Sequence, residues 1–145
     1  MAITTNAICN SFKKELLEGA HKFQYTSGSS FKLALYDSQA TLGASTTNYA
    51  VAEEVPNTGS YSAGGGALVK PNPSVSMASA TAIVDFDNLS FTSVSLTARG
   101  ALIYNTTTSG GSGTTDSVCV LDFGADKTAT SGTFTVQFPA FTTSA

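Results

Sequence analysis

The chain is predicted to be mainly β: an antiparallel β-sandwich or jelly-roll-like domain with one N-terminal amphipathic α-helix. Three observations carry that expectation. The sequence holds 21 Thr and 19 Ser but only 12% charged residues, against a usual fraction of roughly 25%. Thr favours strands, and Ser with 13 Gly favours turns. Apolar residues recur with period two in several short stretches, and turn-forming residues separate them.

Only one stretch has helical period. In residues 5–18, Thr5 or Asn6 can cap, Ile8, Cys9, Phe12 and Leu16 form a stripe that Leu17 widens, and Gly19 can stop the helix. Lys13, Lys14, Glu15 and Glu18 take much of the remaining surface. About four turns are marginal alone, so this helix needs its own sheet or another subunit to lie against.

The first strand is residues 31–36, with Phe31, Leu33 and Leu35 inward. Residues 37–67 are polar and Gly-rich, with a weak strand at 49–55 and a flexible run at 58–66. A loop of that length reads as a functional loop or an interaction arm. Residues 67–70 form a short strand stopped by Pro71 and Pro73. Residues 82–86 place Val84 and Phe86 inside and Asp85 and Asp87 outside, and residues 89–92 follow.

Residues 94–105 read as the central strand. Val94, Leu96, Ala98, Leu102 and Tyr104 share one parity and Ser95, Thr97 and Arg99 the other, with a bulge or close backbone approach at Gly100. Residues 105–115 read as a flexible turn. Residues 118–123 form a buried strand beside 101–104, residues 126–132 turn, and residues 133–138 put Phe134, Val136 and Phe138 inward. Six to nine strands in one domain, 1–145, suit this pattern, with the helix at 5–18 as a contact arm and the β domain at 31–138.

Little chemistry is written in the residues. The net charge of −3 argues against nucleic acid as partner, although residues 1–36 carry +2 and the remainder −5. No charged n-region precedes an apolar run at the start, and nothing approaches ~18 consecutive apolar residues, so neither a secretory signal nor a membrane span is expected. Cys9 and Cys119 read as buried free thiols, and the single histidine, His21, as a cap on the last helical carbonyls.

With one His and two distant Cys, zinc patterns cannot be written. The Gly64–Gly66 run lacks the Lys-Ser/Thr of a phosphate loop. Asp85 and Asp87 could hold a cation or act as an acid–base pair, but an Asx turn at a strand end is the commoner use of such residues. Arg99, the lone arginine, is expected to pair with an acid such as Asp85 or Asp122, or to bridge to another subunit. Catalytic residues, metal and cofactor are all expected to be absent.

Residues 7–23, 31–36, 98–105 and 121–124 are similar to stretches of small virion proteins of tailed bacteriophages, of the marine and cyanobacterial phage type. That resemblance implies a virion component made in the bacterial host cytoplasm, most specifically a capsid decoration (cement) protein. Its implied partners are the major capsid protein and copies of itself as a trimer. A tail, tail-tube or adaptor component, or a fibre-like module binding host glycan, is the alternative. Ile8, Phe12, Lys13, Lys14, Leu16, Tyr49, Tyr61 and Arg99 are the expected interface residues.

Overall fold

The structure is a computed structural model, which describes residues 3–107 and 114–139. It is mainly β and antiparallel. Strands β1 (Ala7–Ile8), β2 (Phe31–Tyr36), β3 (Gly66–Leu68), β6 (Leu89–Asn105) and β7 (Asp116–Val136) form a five-stranded sheet in the order β1-β7-β6-β2-β3. Strands β4 (Val75–Ala78) and β5 (Thr81–Val84) make a separate hairpin, and the one α-helix among the described residues, α1, spans Asn10–Leu17.

The centre is the expected pair: Ala101, Leu102 and Ile103 lie across from Leu121, Val120 and Cys119. β2 adds to the other edge of β6, with Leu33 opposite Ile103. Here the sheet is buried on both faces. Leu33, Leu35, Ala101 and Ile103 belong to one apolar cluster, and Ala34, Tyr36, Leu102, Tyr104 and Val120 to the other. Continuous apolar runs are what two covered faces demand.

Gly100 marks a bulge, as the sequence predicts, but the bulge changes which side chains share a face. Val94, Leu96 and Ala98 pack with Ala101 and Ile103, whereas Leu102 and Tyr104 pack on the opposite side. The register shifts between Ala98 and Gly100, and one irregular step inverts parity downstream. A Cβ at Gly100 would meet the Leu121 carbonyl oxygen and the side chain of Ile3. Gly100→Ala is therefore expected to destabilise by about 2–4 kcal/mol, checked by denaturant unfolding.

Residues 126–132, expected as a turn, are instead paired strand: Lys127, Thr128 and Ala129 lie across from Ala98, Thr97 and Leu96. Pairing to β6 overrides their turn-rich composition. β7 carries extra residues at 123–126, with Gly124 at φ 76° and Ser131 at φ 46°. Phe123 and Phe134 would be about 36 Å apart along a straight strand, yet their ring centroids lie 6.0 Å apart. The β6–β7 ribbon thus curls back, and its far half packs Phe91, Val94, Leu96, Phe134 and Val136 into the cluster built on Phe31, Leu33 and Leu35. Strands that bend at bulges and serve two layers give a sandwich-like arrangement.

The second sheet face is covered by the N-terminal segment and the long loop. Ile3, Cys9 and Ala40 are buried against it, with Leu42 and Tyr49 packed alongside. Residues 49–55 form no strand; they contribute only a single bridge, Tyr36 to Glu54. The run expected to be flexible is tied down. Ser60 N–H donates to Thr92 O at 3.0 Å, Thr92 N–H to Ser60 Oγ at 2.7 Å, and Ser95 N–H to Thr58 Oγ1 at 2.9 Å. Part of the expected turn at 105–115 lies outside the described residues.

The helix is shorter than predicted. Ile8 lies in β1, and Asn6 does not cap because its Oδ1 accepts from Asp122 N–H at 2.7 Å on the sheet edge. Cys9 is the extended N-cap residue, without a side-chain cap bond. Gly19 ends the helix as expected: at φ 77° it donates to Leu16 O, while Ala20 N–H returns to Glu15 O, a Schellman closure.

Candidate functional site

The helix meets the body through Phe12 and Glu15 rather than through the whole apolar stripe. Phe12 touches both core clusters. Ile8, Leu16 and Leu17 are 50%, 44% and 91% exposed. Lys13 reaches Asn10 Oδ1 at 3.3 Å, and Lys14 pairs with Glu18 at 3.3 Å on the solvent side. Such exposed pairs contribute little.

Glu15 is buried because it serves His21. Glu15 Oε2 lies 2.8 Å from His21 Nε2, and Asn105 Nδ2 lies 3.1 Å from His21 Nδ1. The Asn105 amide orientation is set by Oδ1, which accepts Thr107 N–H at 2.8 Å. Nδ2 is therefore the donor, so His21 accepts at Nδ1 and donates Nε2–H to Glu15. His21 does not cap the helical carbonyls, which Gly19 and Ala20 already satisfy. The ring instead locks the helix to the end of β6.

A second polar cluster lies where four of the five tyrosines converge. Glu54 accepts from Tyr49 Oη at 2.6 Å, Tyr61 Oη at 2.6 Å and Gly64 N–H at 2.8 Å. Tyr36 Oη donates to Ala50 O at 2.6 Å and Tyr104 Oη to Gly64 O at 2.7 Å, while Tyr49 stacks on Tyr104 with centroids 4.7 Å apart. Burial, and then the Glu54 carboxylate beside them, push the Tyr36 and Tyr104 hydroxyls upward, Tyr104 to about 12. Tyr61 is shifted the same way by burial and by its bond to Glu54. It is 1% exposed, so it is a core residue rather than a loop aromatic open to a partner. Tyr49 is half-buried, whereas Tyr25, outside the cluster, is 53% exposed.

Arg99 pairs with Asp122, its Nε 3.3 Å from Oδ1, as one of the two expected acids. The contact lacks hydrogen-bond geometry at Nε, and Asp122 Oδ1 also accepts Gly124 N–H at 2.8 Å. Asp85 makes a short local turn contact, its Oδ1 accepting Phe86 N–H at 2.8 Å. Cys9 is buried, Cys119 half-buried, and both are free. Burial pushes both thiols up, Cys119 to about 12, away from thiolate chemistry. Among the described residues no group of three or more His, Cys, Asp or Glu could hold a metal ion, and no helix is long and apolar enough to cross a membrane.

Of the eight expected interface residues, Tyr61 lies in the core and Arg99 is held by Asp122, while Ile8, Lys13, Lys14 and Leu16 are exposed. The surface that sequence reasoning missed is the β4–β5 hairpin. Its cross-strand pairs Val75–Val84 and Met77–Ala82 share one face, and Val75, Met77 and Val84 are 44%, 58% and 43% exposed. No charged residue occurs between Lys70 and Asp85. The alternation Val75, Met77 was its sequence signal, overshadowed by the adjacent prolines. Comparison with known proteins finds no matching family model, no matching curated protein and no matching solved structure.

Proposed function

We propose that this chain is a virion structural protein that binds the outside of a tailed-phage capsid and stabilises the shell, together with copies of itself. The phage setting rests on the resemblance of residues 7–23, 31–36, 98–105 and 121–124 to small virion proteins. The contact role rests on one observation: the β4–β5 hairpin presents an uncharged apolar face to solvent. A two-stranded hairpin is marginal by itself and gains from being covered. Burying the exposed parts of Val75, Met77 and Val84 would supply roughly 2–4 kcal/mol per copy. Because the bound copy prefers the assembled shell, occupancy stabilises it by mass action. Repetition about a threefold position would multiply that gain through closed symmetry.

The test is to add purified protein to shells lacking it and to image the particles by cryo-electron microscopy. Density on the shell is the expected result, with Met77→Glu lowering occupancy at least about tenfold while the melting temperature stays unchanged. Density on the tail would favour the tail or adaptor reading. Undiminished occupancy of the Met77→Glu variant would remove the hairpin from the contact.

A further inference from the structure

The curled ribbon leaves an open groove of about 500 Å³ along β7. Phe123, Ala129, Phe134 and Val136 line its apolar part, and residues 132–137 line it consecutively. Successive strand residues point to opposite faces, so a wall made of six in a row follows the strand's edge rather than one of its faces. That edge is open. β1 pairs with β7 only at Cys119 and Val120, β6 occupies the other side, and no backbone bond among the described residues reaches the outer edge over 125–136. Long unpaired edges are templates for another strand, and natural proteins usually cover them.

We propose that the groove binds an extended peptide segment of a partner protein, added to β7 as a strand, with an apolar or aromatic side chain seated over Phe123 and Ala129 and an acidic residue near Lys127. The unpaired main chain supplies the recognition: only another strand satisfies alternating N–H and C=O groups along an edge. The volume suits one or two large side chains. Charge selects the partner further. Lys127 is the one charged residue lining the groove, it is exposed, and it has no ion pair among the described residues. A second copy of this chain fits less well. Paired antiparallel over 127–136 with its own edge, Lys127 would face Val136 with no acid opposite. This inference stands on the β7 edge alone and does not require the capsid reading or the β4–β5 hairpin.

The experiment uses the full-length protein and an N-acetylated peptide of seven residues alternating Val or Phe with Thr and carrying one terminal Asp. Binding is measured by titration calorimetry and by amide hydrogen exchange. Expected is a slowing of exchange across 125–136, loss of binding when alternate peptide residues are Pro, and about a tenfold weakening either with Lys for the peptide Asp or in the Lys127→Glu variant. Lys127 is exposed, so that variant should fold as the parent does, which its melting curve checks. No binding at millimolar peptide would overturn the proposal. So would binding indifferent to Pro, which would mean an apolar pocket without strand addition. Concentration-dependent protection of 125–136 without peptide would overturn it too, by assigning the edge to a second copy.

Discussion

Raising the pH from 10 to 12 is expected to unfold the protein. Tyr36 and Tyr61 are each 1% exposed, and burial together with the Glu54 carboxylate holds both hydroxyls protonated beyond the usual tyrosine range. In the unfolded chain they lose their protons near pH 10. Above that pH the unfolded state binds fewer protons than the folded state, so stability falls as pH rises. The stabilisation is complete below pH 10 and disappears as the pH climbs towards the folded values. Each group contributes a slope of about 1.4 kcal/mol per pH unit, so the two together remove about 3 kcal/mol per unit. By pH 12 the loss is about 5 kcal/mol, comparable with the whole stability of an ordinary domain. Tyr104, raised to about 12, and Cys119, raised to about 12 from 9.0, act in the same direction. Denaturant unfolding at closely spaced pH values measures the slope. Tyr61→Phe should cost about 1–2 kcal/mol at pH 8 and flatten the alkaline limb. Stability that stays level to pH 11.5 would mean that the cluster is wet.

Much of the sheet was legible because it is local. Period-two alternation identifies residues 31–36, and the apolar runs at 101–104 and 118–123 identify each other as partners. Gly100 announces the bulge, but whether parity continues or inverts beyond it depends on the partner strand, which alternation does not contain. Residues 126–132 read as a turn because Thr, Ser and Gly dominate them, whereas a long ladder to β6 decides their conformation. The polar clusters were not legible at all. Glu54 collects Tyr49, Tyr61 and Gly64 only once the long loop is laid over the sheet, and His21 meets Asn105 across 84 positions. Neither constellation has a spacing rule, since both are products of tertiary packing. The loop at 37–65 lacks periodicity for the same reason: it works as a covering layer, with Ala40, Val55 and Tyr61 dropped singly into the core.

Deleting residues 3–18 is expected to leave a chain that no longer folds, although the helix reads from sequence as an arm that could come away. Ile3 and Cys9 are fully buried, and Phe12 packs on both core clusters. Losing them removes roughly 5 kcal/mol of apolar burial at about 1.5–3 kcal/mol for each large side chain. The deletion also removes the Glu15 hydrogen bond to His21 and the Phe12 ring packed on it, the bond contributing about 0.5–1.5 kcal/mol. Leu102 and Val120, both 0% exposed, would face water, and the β7 edge at Cys119 and Val120 would lose its partner strand. The total is as large as the stability available. Leu17→Ser makes the contrast within the same helix: at 91% exposure it should shift stability by no more than about 0.5 kcal/mol. Circular dichroism melts of the two variants separate the roles. If the truncated chain melts cooperatively at the parent temperature, the segment is an arm after all. If it is molten or insoluble while Leu17→Ser is unchanged, the segment is core on one side and free on the other. Any attachment it makes then runs through its exposed side, where Ile8, Leu16 and Leu17 are the apolar residues, while Ile3, Cys9 and Phe12 hold the sheet closed.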